Sequence, residues 1–330
     1  DENLFNSYFY SDRATSEVDF SDKPSWLTLK QKDNKTCGRN VPQQHLRAIA
    51  SLDRLVEEVH TRLNELNISK NTIIIFTSDN GVLWGEHGLC DKGWAYEESV
   101  RVPLLISGPN ILPRSIPDLV AMNLDIPKTI LHFAGAESNG DGVNLRKLLQ
   151  QKEASLDRSH ISIQNYGYTS YRFQTDGIWR GIIYKDHNSF LKYIEHSTGE
   201  EEFYNLLEDP FELKSEHATN LEKLNLLKGR VAENNGVVIT TSQIPRMKIG
   251  EFTSFKFNYW SSSDTNPQWA LTKGSLPIGL EFNPITSELS GIPREVGQYP
   301  IRINITSEKK GLQSNKQIRF NRDYMITLVD

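Results

Sequence analysis

Residues 72–81 have the sequence TIIIFTSDNG, in which a short apolar run ends in a polar turn. The run from Thr72 to Phe76 is rich in β-branched residues, which favour strands. Its continuous apolar character predicts a strand buried on both faces, as in a parallel sheet covered by helices. Open α/β sheets bind ligands at the carboxyl ends of such strands. We therefore expect Thr77 to Gly81 to lie at a functional edge of an α/β sheet.

The segments around this strand predict further elements of an α/β fold. Apolar residues spaced by three and four predict an amphipathic helix over residues 43–66, and a helix followed by a buried strand is half of an α/β unit. A second buried strand is expected over residues 102–106 and a short helix over 124–133. Strand-like pieces within residues 170–206 predict a small antiparallel sheet, and residues 217–232 have a helical pattern.

The pattern changes to an all-β one after a predicted linker at residues 232–236. Short strand-like segments alternate there with turn residues, as in a small β-sandwich. The sequence thus predicts three parts: an α/β core over residues 1–150, an antiparallel subdomain over 151–236 and a β-sandwich over 237–330.

Composition excludes several classes of protein. The 330 residues are 37% hydrophobic and 24% charged, which is ordinary for a globular protein. With 37 Lys+Arg against 42 Asp+Glu, the net charge of −5 argues against a strongly basic nucleic-acid binder. No apolar run approaches the roughly 20 residues of a membrane-spanning helix. Two cysteines, Cys37 and Cys90, allow one disulfide or none, and they exclude a four-cysteine zinc site.

Asp79, Asn80, His87 and Lys92 all follow the first predicted strand, and their side chains could bind a metal ion or an anion. Asp79 and Asn80 offer a carboxylate and an amide oxygen side by side, the ligand types that Ca²⁺ and Mg²⁺ prefer. Lys92 can neutralise a sulfate or phosphate oxygen, and His87 adds an imidazole. Each has a simpler explanation when taken alone: an ordinary Asp-Asn-Gly turn, a solvated lysine and a loop histidine.

Taken together, the segment from Thr77 to Pro103, TSDNGVLWGEHGLCDKGWAYEESVRVP, resembles a block of the sulfatase family. Residues 22–26 (DKPSW), 124–135 and 202–212 are similar to further segments of its arylsulfatase and N-acetylglucosamine-6-sulfatase-like branch. The resemblance covers about residues 15–232. It implies an α/β fold, namely the C-terminal part of an alkaline-phosphatase-like sulfatase fold with a small antiparallel subdomain.

The resemblance implies a role for each of the four residues. Asp79 and Asn80 would bind a divalent metal, Ca²⁺ or alternatively Mg²⁺, and Lys92 would contact the sulfate. His87 would lie near the substrate. The implied reaction is hydrolysis of a sulfated carbohydrate or an aryl sulfate, and the implied location is periplasmic or extracellular.

The chain departs from the family pattern at the nucleophile. The family forms a formylglycine from the first residue of C/S-x-P/A-x-R, and neither Cys37 nor Cys90 fits that motif. The family's paired metal-binding aspartates are also missing, since no Asp-Asp occurs. The chain starts at Asp1, with no secretory signal. We therefore expect the C-terminal part of a sulfatase, processed or fragmentary, which lacks an N-terminal half and is inactive alone.

The C-terminal part has a resemblance of its own. Residues 274–299 are similar to the Ig-like domains of bacterial surface proteins. Trp269 and Phe282 are expected in the core of this sandwich. For Trp84 and Trp94, stacking on a sugar ring and packing inside the protein both remain open.

Two other functions remain open at this stage. One is hydrolysis of a phosphoester or phosphonate within the same superfamily. The other is a non-catalytic role, in which a truncated protein binds a partner through its Ig-like domain.

Overall fold

The computed structural model of the chain describes residues 13–27, 41–116, 121–137, 142–156, 158–166, 178–234, 237–239, 241, 243–261, 267–310 and 315–330. The chain forms two compact units. The first consists of residues 1–163, 182–194 and 201–220, and the second of residues 164–181, 195–200 and 221–330. Within the described ranges, no helix has the length and apolar character needed to cross a membrane.

The α-helices follow the predicted pattern closely. They are α1 (Val41–Glu65), α2 (Glu97–Val100), α3 (Asp125–Phe133), α4 (Arg146–Gln150) and α5 (Leu221–Asn234). The helices predicted over residues 43–66, 124–133 and 217–232 are confirmed as α1, α3 and α5. Because α5 continues to Asn234, most of the linker predicted at residues 232–236 is helical, and that prediction is wrong there.

Four short strands surround the predicted functional turn. They are β1 (Ile74–Thr77), β2 (Leu83–Trp84), β3 (Cys90–Asp91) and β4 (Leu104–Ser107). β2 and β3 form a small antiparallel hairpin, and β1 pairs antiparallel with β4. The two predicted strands therefore exist at β1 and β4.

The expected setting of β1 in a doubly covered parallel sheet is wrong. Its neighbour in the described residues is the antiparallel β4, and Phe76 and Leu105 are 36% and 60% exposed. An apolar run allows burial of both faces. The elements that pack against each face decide whether burial occurs, and the described parts of the first unit leave these two side chains partly in solvent.

A four-stranded sheet follows, with its strands in chain order. The strands are β5 (His160–Tyr166), β6 (Ile178–Lys185), β7 (Phe190–His196) and β8 (Glu201–Asn205). Ile182, Tyr193 and Phe203 are fully buried side chains of this sheet. The small subdomain sheet predicted within residues 170–206 thus exists, although its first predicted piece, residues 170–173, lies outside the described residues.

The C-terminal part consists of strands in the described residues. They are β9 (Val237–Ile239), β10 (Met247–Lys248), β11 (Thr253–Lys256), β12 (Tyr259–Ser261), β13 (Gln268–Lys273), β14 (Leu280–Asn283), β15 (Glu288–Gly291), β16 (Gly297–Lys310) and β17 (Asn315–Val329). They form sheets of order β10-β17-β16-β13, β11-β15-β14 and β12-β9. The predicted all-β architecture is confirmed.

One apolar core holds these strands together. Its fully buried members include Ile239, Leu289 and Ile303, and Trp269 is only 7% exposed while Phe282 packs against the cluster. The core positions predicted for Trp269 and Phe282 are therefore confirmed. The exact boundaries of the three predicted parts stay predictions.

Candidate active site

The polar turn after β1 is fixed by hydrogen bonds to its backbone. Asp79 Oδ1 accepts from the Asn80 backbone N–H at 2.9 Å, and Ser78 Oγ donates to the Asn80 carbonyl oxygen at 2.9 Å. Asn123 Nδ2, just before α3, donates to the carbonyl oxygens of Ser78 and Asp79 at 3.2 and 3.1 Å. The turn is thus held from both sides, with the Asp79 side chain exposed to solvent.

Lys92 reaches this turn from the β2–β3 hairpin. It follows β3 directly, and its ammonium Nζ donates to Asn80 Oδ1 at 3.0 Å. Both Asp79 and Lys92 are exposed, while Asn80 is half-buried. The structure therefore brings three of the four predicted site residues together at one solvent-accessible position.

The donor set of this position suits part of a metal site. A carboxylate and an amide oxygen on adjacent residues are hard ligands of the kind that Ca²⁺ takes, but such an ion needs about six to eight oxygens. No group of three or more His, Cys, Asp or Glu side chains that could hold a metal occurs within the described ranges. Asp79 and Asn80 would thus hold one side of the ion, and further ligands have to come from elsewhere.

His87 lies apart from these exposed groups, in a buried cluster. Its Nδ1–H donates to Glu17 Oε2 at 2.7 Å, and its Nε2 lies 3.6 Å from Glu98 Oε2. The ring stacks on Tyr96 with centroids 3.9 Å apart, and the residue has no exposed surface. The backbone of His87 is left-handed, with φ of 56°, which is uncommon for a non-glycine residue. The substrate-binding role predicted for His87 stays a prediction, and its surroundings favour a structural one.

The two carboxylates favour the charged form of His87. Burial by itself lowers the pKa of the imidazole, but the hydrogen bonds to Glu17 and Glu98 outweigh burial and leave the pKa raised. Burial also raises the pKa of Glu98, and the bond to His87 more than reverses this, so the pKa of Glu98 is lowered. His87 and Glu98 thus each favour the charged form of the other.

Residues from the N-terminal segment complete the buried cluster. Lys23 lies 3.3 Å from Glu17 Oε1 and donates to the Tyr204 hydroxyl at 3.1 Å and to the Glu212 carbonyl oxygen. Its ammonium also lies 4.9 Å from the centre of the Tyr96 ring, a favourable cation–π position. Through Glu17, which accepts from His87, the segment around Lys23 is linked to the β2–β3 hairpin that precedes Lys92.

A second buried cation stands between two carboxylates. Lys192 of β7 lies 3.0 Å from Glu97 Oε1 and 2.9 Å from Glu212 Oε1, and all of its side chain is buried. One ammonium cannot fully compensate two carboxylates out of water. Burial raises the pKa of Glu212 to about 7, and the charge of Glu97 adds to the rise while Lys192 opposes it.

The structure shows the surroundings of three side chains that the sequence left open. Trp94 is 3% exposed and stacks on Trp26 at 5.3 Å, so it packs inside the protein. Trp84 is half-buried and donates from Nε1 to His45 Nδ1 at 2.7 Å. Cys90 is disulfide-bonded, which decides between the one disulfide or none that the cysteine count allowed.

The structure adds several residues around the candidate site that sequence reasoning did not single out. Glu98 and Ser99 lie within the recognised block, in its YEES part, and Glu17 lies five residues before the DKPSW segment. The position of Glu98 and Ser99 inside this block could therefore have identified them as candidate site residues from the sequence. Glu17, Asn123 and Lys192 are defined only by contacts across long stretches of chain.

Family comparisons agree with this fold. The sulfatase family model matches residues 7–136, and the model "N-sulphoglucosamine sulphohydrolase, C-terminal" matches residues 85–232. The model "Putative Ig domain" matches residues 236–323.

Individual relatives point the same way. An arylsulfatase of Volvox carteri is 32% identical over 229 residues, which cover 60% of this chain and 35% of the relative. An N-acetylglucosamine-6-O-sulfatase of Bacteroides thetaiotaomicron is 29% identical over 190 residues, covering 55% and 34%. A solved structure of a protein with its substrate D-glucosamine-2-N,6-O-disulfate superposes with a TM-score of 0.50 at 27% identity, covering 63% of this chain and 45% of that one. The chain thus spans about a third to a half of the length of these relatives.

The fold of the first part of the chain is similar to that of the alkaline-phosphatase-like sulfatases. Over residues 7–232 two models of the sulfatase family match the chain, which covers only the C-terminal part of the sulfatase fold, and a match to an Ig-like model follows. The resemblance stated from the sequence is therefore confirmed.

Proposed function

We propose that this chain supplies one side of the active site of a sulfuric ester hydrolase. One observation carries the proposal: the Lys92 ammonium lies 3.0 Å from Asn80 Oδ1, beside Asp79, at an exposed turn. A cation-binding pair of oxygens next to a lysine suits a sulfate group, which needs positive charge on several of its oxygens at once. The matches of two sulfatase-family models over residues 7–232 support this assignment.

The proposed roles follow from the chemistry of each side chain. Asp79 and Asn80 hold a divalent cation, Ca²⁺ rather than Mg²⁺ because Ca²⁺ tolerates irregular sets of oxygen ligands. When bound, that ion supplies Lewis-acid stabilisation of the sulfate oxygens. Lys92 neutralises a further sulfate oxygen and orients the ester. We assign His87 to holding the hairpin that leads to Lys92, because both of its ring nitrogens face carboxylates.

The substrate we propose is a sulfated carbohydrate, with aryl sulfates as model substrates. The relatives named as an arylsulfatase and an N-acetylglucosamine-6-O-sulfatase support this class. The nucleophile and the remaining metal ligands would come from an N-terminal sulfatase half. The described site offers two oxygen ligands and the sequence contains no C/S-x-P/A-x-R motif, so we propose that residues 1–330 alone are inactive.

We also propose a periplasmic or extracellular location. Cys90 is disulfide-bonded, and disulfides persist mainly in oxidising compartments. A relative named as an extracellular sulfatase of Drosophila melanogaster, 34% identical over 116 residues, supports the same location.

The test measures binding and turnover separately. We expect residues 1–330 to bind inorganic sulfate in the presence of Ca²⁺, detected as NMR shifts of the Gly81 and Gly93 amides, and to release no phenol from an aryl sulfate. Lys92→Ala should weaken sulfate binding about tenfold or more, as expected for loss of a charge-assisted hydrogen bond. Lys70→Ala, which removes an exposed lysine after α1, is the matched control.

Three results would contradict the proposal in whole or in part. Sulfate affinity equal in the Lys92 variant and the Lys70 variant would remove the anion-binding role. Phosphate binding far more tightly than sulfate would favour the phosphoester or phosphonate hydrolase instead. Metal-dependent turnover by residues 1–330 alone would refute the inactive-chain part of the proposal and leave the site assignment standing.

A further inference from the structure

Two separate segments supply the proposed ligands, and something must hold them in register. Asp79 and Asn80 follow β1, while Lys92 follows β3 at the end of the hairpin. The contact between Lys92 Nζ and Asn80 Oδ1 joins two exposed or half-exposed side chains. Such a contact is weak on its own, because solvent competes for both groups. The backbones that carry the two residues therefore have to be fixed by other contacts.

Ser99 contacts both backbones. Its carbonyl oxygen accepts from the Gly81 N–H at 2.9 Å, and its side-chain Oγ accepts from the Gly93 N–H at 3.1 Å. Gly81 is the residue directly after Asn80, and Gly93 is the residue directly after Lys92. Ser99, which is only 4% exposed, thus forms one hydrogen bond directly after Asn80 and another directly after Lys92. The side chains of Asn80 and Lys92 are the two that meet.

The surroundings of Ser99 make this arrangement specific. α2 is tied at its start, because the Ser99 N–H donates to the Tyr96 carbonyl oxygen at 2.9 Å. The turn packs so tightly on α2 that a Cβ on Gly81 would overlap the Glu98 carbonyl oxygen. The bond to Gly81 uses the backbone of Ser99 and survives any substitution that keeps α2. The bond to Gly93 uses the hydroxyl, so it can be removed by itself.

We infer that Ser99 is a positioning residue of this site. Its hydroxyl fixes the Lys92–Gly93 backbone relative to the Asn80–Gly81 backbone, and this keeps the Lys92 ammonium within hydrogen-bond distance of Asn80. The inference rests on the proposed function for its biological meaning. The geometric claim itself concerns only the register of two segments.

The experiment compares Ser99→Ala with Ser215→Ala in the full 330-residue chain. Ser215 is the control, because it is 6% exposed and its Oγ accepts from the Phe203 N–H at the same distance, 3.1 Å, besides a contact with His217 Nδ1 at 2.9 Å. In Ser99→Ala we expect the Gly93 amide to exchange hydrogen about tenfold faster, the factor expected for losing one hydrogen bond, and the Gly81 amide to keep its rate. We also expect the nuclear Overhauser contact between the Lys92 and Asn80 side chains to disappear.

Ser215→Ala should lower thermal stability to a similar extent and leave the Lys92–Asn80 contact intact. Ser99→Thr, which keeps a hydroxyl, should restore the contact. The inference would be overturned if the Lys92–Asn80 contact persisted in Ser99→Ala, or if it were lost equally in Ser215→Ala. Either result would show that the Ser99 hydroxyl does not specifically position Lys92. The Lys92–Asn80 contact is measured without sulfate, so the two hypotheses can fail separately. If Ser99→Ala loses the contact, the positioning role of Ser99 is supported. If the wild-type chain also fails to bind sulfate, the proposed function is contradicted.

Discussion

Single residues beneath the site carry charges that the protein has removed from water. Lys192 and Glu212 are fully buried, and Glu97 is mostly so. Burying ions costs several kcal/mol each unless partners and hydrogen bonds compensate. Here the compensation is uneven, with two carboxylates against one ammonium. The protein relieves the imbalance by raising the pKa of Glu212 to about 7, and this makes stability depend on pH.

The sign of that dependence follows from the direction of the shift. The folded-state pKa of Glu212 lies above its ordinary value of 4.5, so folding favours the protonated form. The stabilising effect of protonated Glu212 is complete below the pKa that Glu212 has in the unfolded chain, and it is lost as the pH rises through about 7. The raised pKa of His87 acts in the same direction, since its buried ion pairs are complete below the ordinary value of 6.5. Stability should therefore fall between about pH 5 and pH 8.

Glu212→Gln tests this reasoning. The amide keeps the shape of the side chain but cannot ionise, so the part of the pH dependence due to Glu212 should vanish. We expect the loss of unfolding free energy between pH 5 and pH 8 to shrink by roughly 3 kcal/mol, at about 1.4 kcal/mol per pKa unit. Urea unfolding at several pH values measures it, with exposed Glu208→Gln as the control. A Glu212 variant whose pH profile matches that of the Glu208 control would refute the prediction.

At the level of elements, the site depends on how closely the turn after β1 approaches α2. Gly81 touches the backbone of α2 through the bond from its N–H to the Ser99 carbonyl oxygen. A side chain there would collide with the carbonyl oxygen of Glu98, which is backbone and cannot rotate away. The need for glycine at this position is steric and comes from a neighbouring element. A rare backbone angle is not involved.

Gly81→Ala should therefore separate the turn from α2. We expect a loss of about 1–3 kcal/mol in unfolding free energy, the usual cost of forcing extra atoms into a packed site, and loss of the contact between Lys92 and Asn80. Gly229→Ala is the control, because Gly229 lies in α5 and an added Cβ would meet no atom within 4 Å apart from its chain neighbours and the backbone of its own helix. Alanine there should stabilise by up to about 1 kcal/mol. Equal effects of the two substitutions in denaturant melts would disprove the packing argument.

For the whole molecule, the all-β part has a complete core of its own. Every member of the buried apolar cluster of this part lies between Val237 and Leu328. A segment with its own core can in principle fold alone. The sulfatase part, in contrast, leaves Phe76 and Leu105 of its two-stranded sheet exposed, as expected of a chain that covers only the C-terminal part of that fold.

Residues 237–330 expressed alone should fold cooperatively. We expect a β-type circular dichroism spectrum and a single thermal transition. Leu289→Ala should lower the unfolding free energy of the fragment by about 2–5 kcal/mol, because Leu289 is fully buried. Ile285→Ala, at a side chain that is 91% exposed, should change it little. A fragment without a cooperative transition would show that its core needs other parts of the chain.

The sequence by itself determined the features that depend on neighbouring residues. The spacing of apolar residues defined α1, the β-branched run defined β1, and turn residues between short strands defined the all-β C-terminal part. The grouping of Asp79, Asn80 and Lys92 followed from their place in one recognisable block, and the structure brings these three together. The spacing of apolar residues and the residues of a motif are properties of short stretches of sequence, so they can be recognised without the tertiary structure.

Only the tertiary structure decided which residues are buried and what they face. The antiparallel partner of β1, the burial of His87 and the raised pKa of Glu212 all depend on contacts between distant segments. Glu17 and His87 are 70 positions apart, and Lys192 and Glu97 are 95 apart. The charge state of a buried group depends on every charge and dipole around it. No pattern along the sequence contains that arrangement, because folding creates it.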